Sequence, residues 1–155
     1  MIRNICNMKQ QQRIVLISCS AKKQMLPNET TIQAKHLYIS SLFRKSLQYA
    51  IQLNPHKIFI LSAKFGLLRL NDYIGYYDET LNKKSVAERH IWAEQVLKQL
   101  HEESCELTKD KFIFLAGKKY YQYLIGDGRI QNYYLPYKQK KIGKILQFLN
   151  SELNT

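Results

Sequence analysis

Three short apolar runs dominate the hydrophobic pattern of the chain. They are Arg13–Ser18, Lys57–Ser62 and Lys111–Ala116, and each is rich in Ile, Leu, Val or Phe. Continuous rather than alternating apolar residues are typical of strands that are covered on both faces, as in parallel sheets. A weaker run, Arg129–Leu135, predicts a fourth strand just before Pro136.

Helical periodicity fills the segments between these runs. Residues 33–53 carry apolar positions at helical spacing, and Pro55 lies just beyond their end. Thr30 or Thr31 is a candidate N-cap, since a hydroxyl there accepts a hydrogen bond from a free backbone N–H. The pattern therefore predicts one long helix between the first two strands.

A second helix is indicated by a capping box. Ser85 and Glu88 have the spacing at which a hydroxyl and a carboxylate each accept a hydrogen bond from the other residue's backbone N–H. The helix is predicted to end near Glu103. Its inward positions are predicted to be Ile91, Val96, Leu97 and Leu100.

Two further helices complete the pattern. Gly117 precedes a short tyrosine-rich helix that ends near Gly126, and a last helix is predicted over about residues 141–149. The order β-α-β-α-β-α-β-α predicts a single α/β domain over residues 13–155, a three-layer αβα structure with a mostly parallel four-stranded sheet. Residues 1–12 are expected to form a flexible N-terminal tail.

Charge narrows the class of partner. The chain carries 24 Lys and Arg against 12 Asp and Glu, a net charge of +12. Such an excess in a small domain favours a polyanionic partner, first of all nucleic acid, although a general lysine bias in composition is the alternative. Because 18 of the 24 cations are Lys, contacts with phosphates are favoured over base reading by Arg.

The cysteine pattern and the hydropathy exclude several classes. Cys6, Cys19 and Cys105 form neither a C-x-x-C pair nor an even-numbered framework, so neither disulfides nor a structural metal site are expected, and no cofactor is indicated. The N-terminal residues lack a signal-peptide core, and no apolar run approaches the roughly 20 residues of a membrane span. A cytoplasmic protein without membrane contact is expected.

Lysines follow the predicted strands at one edge of the sheet. The carboxyl ends of parallel strands meet at a single edge, where ligands of such sheets bind. Two long connections, residues 19–31 and 63–84, are expected there as well, since unstructured loops of that length are usually functional. Eight of the 18 lysines are expected on this rim: Lys22, Lys23, Lys64, Lys118, Lys119, Lys138, Lys140 and Lys141.

The first strand ends in Ser18, Cys19 and Ser20, followed by Lys22 and Lys23. Small side chains let backbone N–H groups approach an anionic or polar ligand, and the lysines favour that interpretation. In the alternative, the hydroxyls merely bond the local backbone. A nucleophilic Cys19 is less favoured than a buried, inert thiol.

The second strand ends with similar chemistry in Ser62, Lys64 and Gly66. Gly66 permits a turn that bulky neighbours would resist. Lys64 is a candidate for pairing with a phosphate or, if desolvated, for acting as an amine nucleophile, and the alternative is a solvated loop lysine.

The loop after the second predicted strand contains three acidic residues, which are candidates for the catalytic carboxylate. Asp72, Asp78 and Glu79 are expected on the lysine rim, and Asp78 is preferred as the catalytic group because aromatic residues flank it. It would orient water or stabilise a sugar cation. Tyr76 and Tyr77 would stack on a base withdrawn from its helix, and a solvated turn with inward tyrosines is the alternative.

The start of the tyrosine-rich helix is a candidate anion site. Free N–H groups after Gly117, together with Lys118 and Lys119, favour binding of a phosphate, and a solvated helix start is the alternative. The four histidines show no metal-ligand spacing.

Several motifs together resemble a known family. "ISCSAKK", "LYISSLFRKSL", "KIFILSAKFGLL", "YYDETL" and "FIFLAGKKY" occur in an order that resembles a family of small bacterial and phage proteins known as a domain of unknown function. The resemblance covers about residues 13–149. The "SAKFGLL" block also resembles the peroxide-stress YaaA proteins, and "CSAKK" resembles the catalytic domain of archaeosine synthase, which has a uracil-DNA-glycosylase-like fold.

The resemblance implies a pocket that acts on a base of a nucleic acid. It implies that Ser18, Cys19, Ser20 and Lys22 form one wall, with Ser62, Lys64 and Gly66 beside them and Tyr77 and Asp78 in the loop above. Some proteins of this kind resemble antiphage DNA glycosylases, which remove modified bases from viral DNA. Lys23 and Gln24 stand where the archaeal enzyme has proline and tyrosine.

The expected function is therefore a DNA glycosylase-like hydrolase that excises a modified base, with DNA favoured over RNA and a role in antiviral defence. Asp78 and Lys64 are the candidate catalytic residues. An RNA base-modifying enzyme that uses a lysine or an amine donor is the first alternative, and a non-catalytic nucleic-acid-binding module is the second.

Overall fold

The computed structural model describes residues 10–154. Arg13–Ser18, Lys57–Ser62 and Lys111–Leu115 are strands, as the apolar runs predict, because each run is covered on both sides and leaves few backbone groups exposed. The elements in chain order are β1 (Arg13–Ser18), β2 (Ile32–Gln33), α1 (Ala34–Leu37), α2 (Ser41–Gln52), β3 (Lys57–Ser62), β4 (Gly66–Arg69), β5 (Tyr73–Ile74), a 3₁₀ turn (Leu81–Lys83), α3 (Val86–Glu102), β6 (Lys111–Leu115), α4 (Lys118–Ile125), β7 (Tyr133–Tyr134) and α5 (Ile142–Leu153).

The main sheet has the order β4-β3-β1-β6-β7. β3, β1, β6 and β7 are mutually parallel, and β4 pairs antiparallel with β3. The α/β class is confirmed, but the sheet is mixed and five-stranded rather than four-stranded. β7 is the fourth strand expected from the sequence, reduced to Tyr133–Tyr134.

The additional strand, β4, lies in a segment predicted to be a loop. Gly66 has a φ of 74°, which lets the chain reverse tightly after β3 and pairs Ser62 with Gly66. Leu67 and Leu68 are buried by the resulting hairpin. The sequence pattern missed it because a strand of four residues is too short to show a period.

A separate two-stranded ribbon joins the two long connections. β2 belongs to the first connection and β5 to the second, and they pair antiparallel through Ile32 with Ile74 and Gln33 with Tyr73. This pairing holds the segment after β1 against the segment after β4.

The long helix predicted over residues 33–53 is wrong in one respect, since the chain leaves the helix between α1 and α2. Backbone hydrogen bonds draw this break onto the segment after β1: the N–H of Gln24 donates to Leu37 (2.8 Å) and that of Ile39 to Lys22 (3.0 Å). The cap is Ser40, whose hydroxyl accepts from the N–H of Phe43, rather than Thr30 or Thr31.

The capping box of α3 is confirmed. Ser85 Oγ accepts from the N–H of Glu88, and the Glu88 carboxylate accepts from the N–H of Ser85, both at 3.1 Å. The expectation that Ile91 faces inward is wrong, because it is 70% exposed. Trp92 packs inward instead, since its indole N–H donates to the carbonyl of Ser62 (2.8 Å).

Helices cover both faces of the sheet. α2 packs with α5, and α3 packs with α4. Right-handed crossovers that run in opposite directions along a sheet place their helices on opposite faces. From β1 the chain crosses to β3 on one side and then back across the sheet to β6, so α2 and α3 lie in different layers, compatible with αβα.

The start of β1 is anchored by Asp110, which is fully buried. Its carboxylate accepts from the N–H of Gln12 (2.8 Å), the side-chain amide of Gln12 (3.1 Å) and the N–H of Glu106 (2.8 Å). The expected tail of residues 1–12 falls mostly outside the described residues, but Gln12 is held in place.

Candidate functional site

The carboxyl ends of β1 and β3 lie side by side. Ser18 pairs with Leu61, and the N–H of Cys19 donates to the carbonyl of Leu61 (2.9 Å), which extends the parallel ladder by one residue. Cys19 and Ser62 thereby lie at the same edge, and both are buried. The structure brings together the two strand ends that the sequence marked by their small hydroxyl and thiol side chains.

Ser62 organises the groups around it. Its hydroxyl contacts the phenol of Tyr77 (2.9 Å) and accepts from the backbone N–H groups of Lys64 (3.2 Å) and Phe65 (3.0 Å). The Tyr77 hydroxyl in turn bonds the hydroxyl of Tyr38 (2.5 Å). A chain of three hydroxyl groups therefore runs from the end of β3 to the break between α1 and α2.

Lys23 lies against these phenols. Its Nζ is 4.6 Å from the centre of the Tyr77 ring and 6.0 Å from that of Tyr38, and the residue is 9% exposed. Within residues 10–154 no carboxylate forms an ion pair with it. The Lys23 amine makes no hydrogen bond in that range. Because every side-chain nitrogen or oxygen there that is fully shielded from solvent does have a hydrogen-bond partner, the Lys23 Nζ is not fully shielded and retains contact with solvent.

Tyr120 closes the other side. Its hydroxyl lies 3.3 Å from Cys19 Sγ, and its ring packs edge-on against Trp92 with centroids 6.0 Å apart. β6 and α4 position Tyr120, because only two residues separate the end of the strand from the start of the helix, which turns this side chain back toward β1. We define the carboxyl-edge cluster as Cys19, Lys23, Tyr38, Ser62, Tyr77 and Tyr120.

Burial sets the protonation state of the phenols. It raises the pKa of Tyr38, Tyr77 and Tyr120 well above the usual range of tyrosine, and negative charge on the neighbouring Cys19 would raise each of them further. All three therefore stay neutral at physiological pH. The six residues of the cluster therefore supply four hydroxyl groups, one thiol and one amine, and none of the six carries a carboxylate.

The other residues predicted after β1 have different environments. Ser18 is half-buried, whereas Ser20 uses its hydroxyl to bond the carbonyl of Lys22 (2.9 Å), as in the local-backbone alternative. Lys22 is exposed. The two consecutive lysines thus have different environments: Lys23 is buried in the cluster, and Lys22 is exposed to solvent.

The Lys64 side chain lies outside the cluster. It is exposed, its Nζ is 5.3 Å from the Phe65 ring centre, and it borders a cavity of about 170 Å³ with Lys84, Glu88 and Trp92. Its backbone N–H, through Ser62, belongs to the cluster's support.

The three loop carboxylates are separated by the hairpin. Asp72 was expected on the lysine rim, and this is wrong: β4 carries the chain back along β3, so Asp72 borders a cavity with His56, Lys57 and Arg69 at the amino edge. Asp78 follows Tyr77 at the carboxyl edge, exposed and without a hydrogen bond within the described chain. Glu79 pairs with Lys84 (3.5 Å).

The two neighbouring tyrosines of this loop also differ. Tyr77 is 4% exposed, with its ring against Phe65 and Lys23, whereas Tyr76 is 41% exposed. Tyr76 is therefore the one with a ring surface available for stacking. Gly117 and Lys118, at the start of α4, are both exposed and border a separate cleft.

Sequence reasoning missed Tyr38 and Trp92 as parts of the site and did not select Tyr120. Tyr38 lay inside a predicted helix, and its role depends on the break in that helix. Tyr120 had a usable signal, since an aromatic residue just after a parallel strand lies at the ligand-binding edge. Trp92 had none, because only the packing of α3 directs its N–H at Ser62.

Metal and membrane signals are absent from the part of the chain described. Residues 10–154 contain no cluster of three or more His, Cys, Asp or Glu side chains that would hold a metal ion. None of the helices in that range has the combination of length and apolar character that crossing a bilayer requires.

Comparison with known proteins assigns the chain to a family. No curated protein matches it. A family model described as a family of unknown function, DUF6884, matches residues 14–151, which include the whole carboxyl-edge cluster and every residue of the main sheet's five strands except Arg13. The chain therefore belongs to the DUF6884 family.

Proposed function

We propose that the protein hydrolyses the N-glycosidic bond of a modified base in DNA. One observation carries the proposal: a buried set of hydroxyl, thiol and amine groups lies at the carboxyl edge of a parallel sheet, beside lysines that no carboxylate neutralises. Such a set is suited to hold a neutral, polar ring such as a nucleobase, and the lysines to hold its phosphates.

The reaction needs a group that acts on the sugar. Water adds to C1′, the bond from C1′ to the base nitrogen breaks, and the base leaves with a proton. Asp78 is the candidate that positions the water and stabilises the positive charge on the sugar, because it directly follows Tyr77 in the chain, is exposed, and has no hydrogen bond within residues 10–154.

Other residues would bind rather than react. Ser62 and Tyr77 are buried beneath the edge and support the place where the extruded base would bind, and Tyr76 offers an exposed ring for stacking on that base. Lys22 and Lys64 are exposed next to the cluster and suit contacts with flanking phosphates. Lys64, expected to be catalytic from sequence, is assigned to phosphate binding here because its Nζ points at Phe65 rather than at Ser62.

The sequence resemblances to archaeosine synthase, to YaaA proteins and to antiphage glycosylases support the same class of substrate. They rest on the segments that build this edge, "ISCSAKK" and "KIFILSAKFGLL". A role in antiviral defence is the part of the proposal that depends on resemblance alone.

The test is incubation of the purified protein with phage DNAs that carry different base modifications, followed by mass spectrometry of the released bases. We expect one class of modified base to be released and unmodified DNA of the same sequence to stay intact. Release of no base from any DNA, combined with salt-sensitive binding to all of them, would instead leave a binding module without chemistry.

One observation favours a second candidate, an RNA base-modifying enzyme that uses a lysine. Lys23 is buried without a carboxylate partner, and its amine retains contact with solvent. An amine that lies in a mostly buried cluster, without a carboxylate partner and open to an incoming ligand, is suited to attack a carbonyl carbon. Borohydride separates the candidates, since it makes an amine-linked intermediate permanent and leaves simple hydrolysis without a protein–nucleic-acid adduct.

A further inference from the structure

A concave surface lies at the same edge of the sheet as the carboxyl-edge cluster. It is a cleft of about 360 Å³ between the start of α4, the turn after β7 and the start of α5. Its floor is formed by the buried residues Tyr121, Tyr137 and Ile145. Three exposed lysines border it, Lys118, Lys138 and Lys140, and we call it the lysine cleft.

The positive charge of the lysine cleft is uncompensated. Within residues 10–154 none of the three lysines forms an ion pair. Lys140 donates to the carbonyl of Pro136 (2.6 Å), whereas the ammonium groups of Lys118 and Lys138 have no hydrogen bond in that range. The sequence supplies no carboxylate nearby along the chain either, since no Asp or Glu occurs from Gly128 to Ser151.

The larger cavity at the amino edge of the sheet is different. It has a volume of about 600 Å³ and also contains cations, Lys57 and Arg69. There Arg69 pairs with Glu103 (2.7 Å), and the amine of Lys57 donates to the carbonyl of Glu103. At that edge Arg69 has a carboxylate partner, whereas none of the three lysines of the lysine cleft has one within residues 10–154.

The walls of the lysine cleft are held in place. The Tyr137 hydroxyl bonds Ser46 Oγ (2.6 Å), which ties the turn after β7 to α2. Lys140 Nζ lies 5.5 Å from the centre of the Phe148 ring on α5. The lysines therefore project from a pre-formed concave surface, and a bound anion would not have to order the backbone first.

The position of the cleft relates it to the cluster. Both lie where parallel strands end: Lys118 begins α4 just after β6, and β6 is the neighbour of β1, whose end carries Cys19. A polymer that lies along this edge with one unit at the cluster would therefore place a neighbouring unit near Lys118. Lysine ammonium groups act as point charges toward phosphates, and the attraction extends over a screening length of about 8 Å at physiological salt.

We propose that the lysine cleft binds a backbone phosphate of a nucleic acid strand, next to the nucleotide whose base occupies the carboxyl-edge cluster. This rests on the proposed function for its class of substrate. An anionic membrane is the competing partner, but α5 offers only Ile142 as a large exposed apolar residue among those the structure describes (62% exposed), and interfacial helices insert a broad apolar face.

The test measures binding of an unmodified DNA duplex as a function of salt. Each phosphate contact contributes about 0.9 to the slope of log affinity against log salt. We expect the double variant Lys118→Gln/Lys138→Gln to bind several-fold more weakly and to lower that slope by about 0.9. The matched control is Lys98→Gln/Lys111→Gln, which removes the same charge away from the cleft and is expected to keep the wild-type slope.

Two outcomes would overturn the proposal. One is an unchanged slope in the cleft variant, and the other is an equal fall in both double variants, which would mean that total charge alone matters. If the cleft variant loses binding to phosphatidylserine vesicles while its DNA slope stays that of the wild type, the partner is a membrane.

Two further measurements keep the result unambiguous. If the cleft variant unfolds at lower urea concentration, Lys118→Arg/Lys138→Arg, which keeps the charge, is expected to retain the wild-type slope.

Because the DNA is unmodified, binding is scored without any reaction. If the cleft variant has a lowered salt slope but the wild-type protein releases no base, the lysine cleft binds phosphate and the glycosylase proposal is wrong. If the wild type releases a base but the cleft variant keeps the wild-type slope, the glycosylase proposal holds and the lysine-cleft proposal is wrong.

Discussion

The amine of Lys23 lies 4.6 Å from the centre of the Tyr77 ring, although the two residues belong to different long connections. β2 and β5, one from each connection, pair with each other and bring the segments together. The contact places the one buried lysine among the described residues against a neutral phenol rather than against a carboxylate. Such an arrangement favours ligand binding over stability, because a buried charge is stabilised most by a paired opposite charge.

Replacing Lys23 by Met tests whether this lysine is structural. Methionine keeps most of the packing. The lost cation–π attraction to the Tyr77 ring is worth about 0.5–2 kcal/mol, and this loss is offset because a charge no longer has to be buried. We expect the free energy of unfolding in urea to stay within about 1 kcal/mol of the wild type, while base release falls at least tenfold. Lys22→Met is the matched control for stability. A loss of more than about 2 kcal/mol in Lys23→Met would assign the residue to the scaffold.

Removing the Tyr77 hydroxyl is expected to destabilise the protein. Tyr77→Phe leaves the buried hydroxyls of Ser62 and Tyr38 without their shared partner, at a cost of about 1–3 kcal/mol in the free energy of unfolding. Tyr76→Phe, at an exposed neighbouring position, should change stability by less than about 0.5 kcal/mol. Equal unfolding curves for both variants would show that the hydroxyl chain contributes nothing to stability.

Asp78 and Glu79 form a matched pair for catalysis. Asp78→Asn keeps the size of the side chain and removes its charge, so we expect base release to fall about 10²- to 10⁴-fold. Glu79→Gln removes the same charge from a group that pairs with Lys84, and should release base at close to the wild-type rate. If Asp78→Asn retains full activity on a DNA that the wild type cleaves, Asp78 has no catalytic role.

Gly66 and Gly128 separate backbone strain from steric overlap. Both have positive φ, 74° and 80°, so alanine at either position costs about 1 kcal/mol in strain. A Cβ at Gly66 would also lie 2.4 Å from Gln99 Oε1, the atom that accepts from the N–H of Leu67, whereas a Cβ at Gly128 meets nothing within 4 Å. We expect Gly66→Ala to be less stable than Gly128→Ala by about 1–2 kcal/mol in urea unfolding. Similar losses in both variants would mean that Gln99 moves aside freely.

Buried phenols make stability fall at alkaline pH. Burial raises the pKa of Tyr137 to about 12, against an ordinary value of about 10. Between these values the unfolded chain loses a proton that the folded chain keeps, so the free energy of unfolding falls as pH rises. The stability is fully present below pH 10 and is lost toward pH 12.

Urea unfolding at pH 9 and pH 11.5 measures this effect. The contribution of Tyr137 to the fall is about 2 kcal/mol, and Tyr137→Phe should reduce the pH dependence by that amount. An identical pH dependence in wild type and variant would show that Tyr137 ionises equally in the folded and unfolded chains.

Local patterns in the sequence were sufficient for much of the scaffold. The runs that became β1, β3 and β6 are continuous and apolar because both faces are covered, and the Ser85 capping box satisfies α3 within its own first turn. Parallel order followed from the alternation of strands and helices. From that order alone, Ser18, Cys19 and Ser62 were expected at one edge, and the structure brings Cys19 and Ser62 together there.

The tertiary structure decided which side chains meet at that edge. Lys22 and Lys23 are indistinguishable in the sequence, and only the contact of their segment with the break after α1 buries Lys23 over Tyr77. Gly66 reverses the chain and carries Asp72 to the opposite edge, away from Asp78. The physical reason is the range of the interactions: periodicity and capping act within a few residues, whereas burial of a lysine or a phenol depends on segments that only the fold brings into contact.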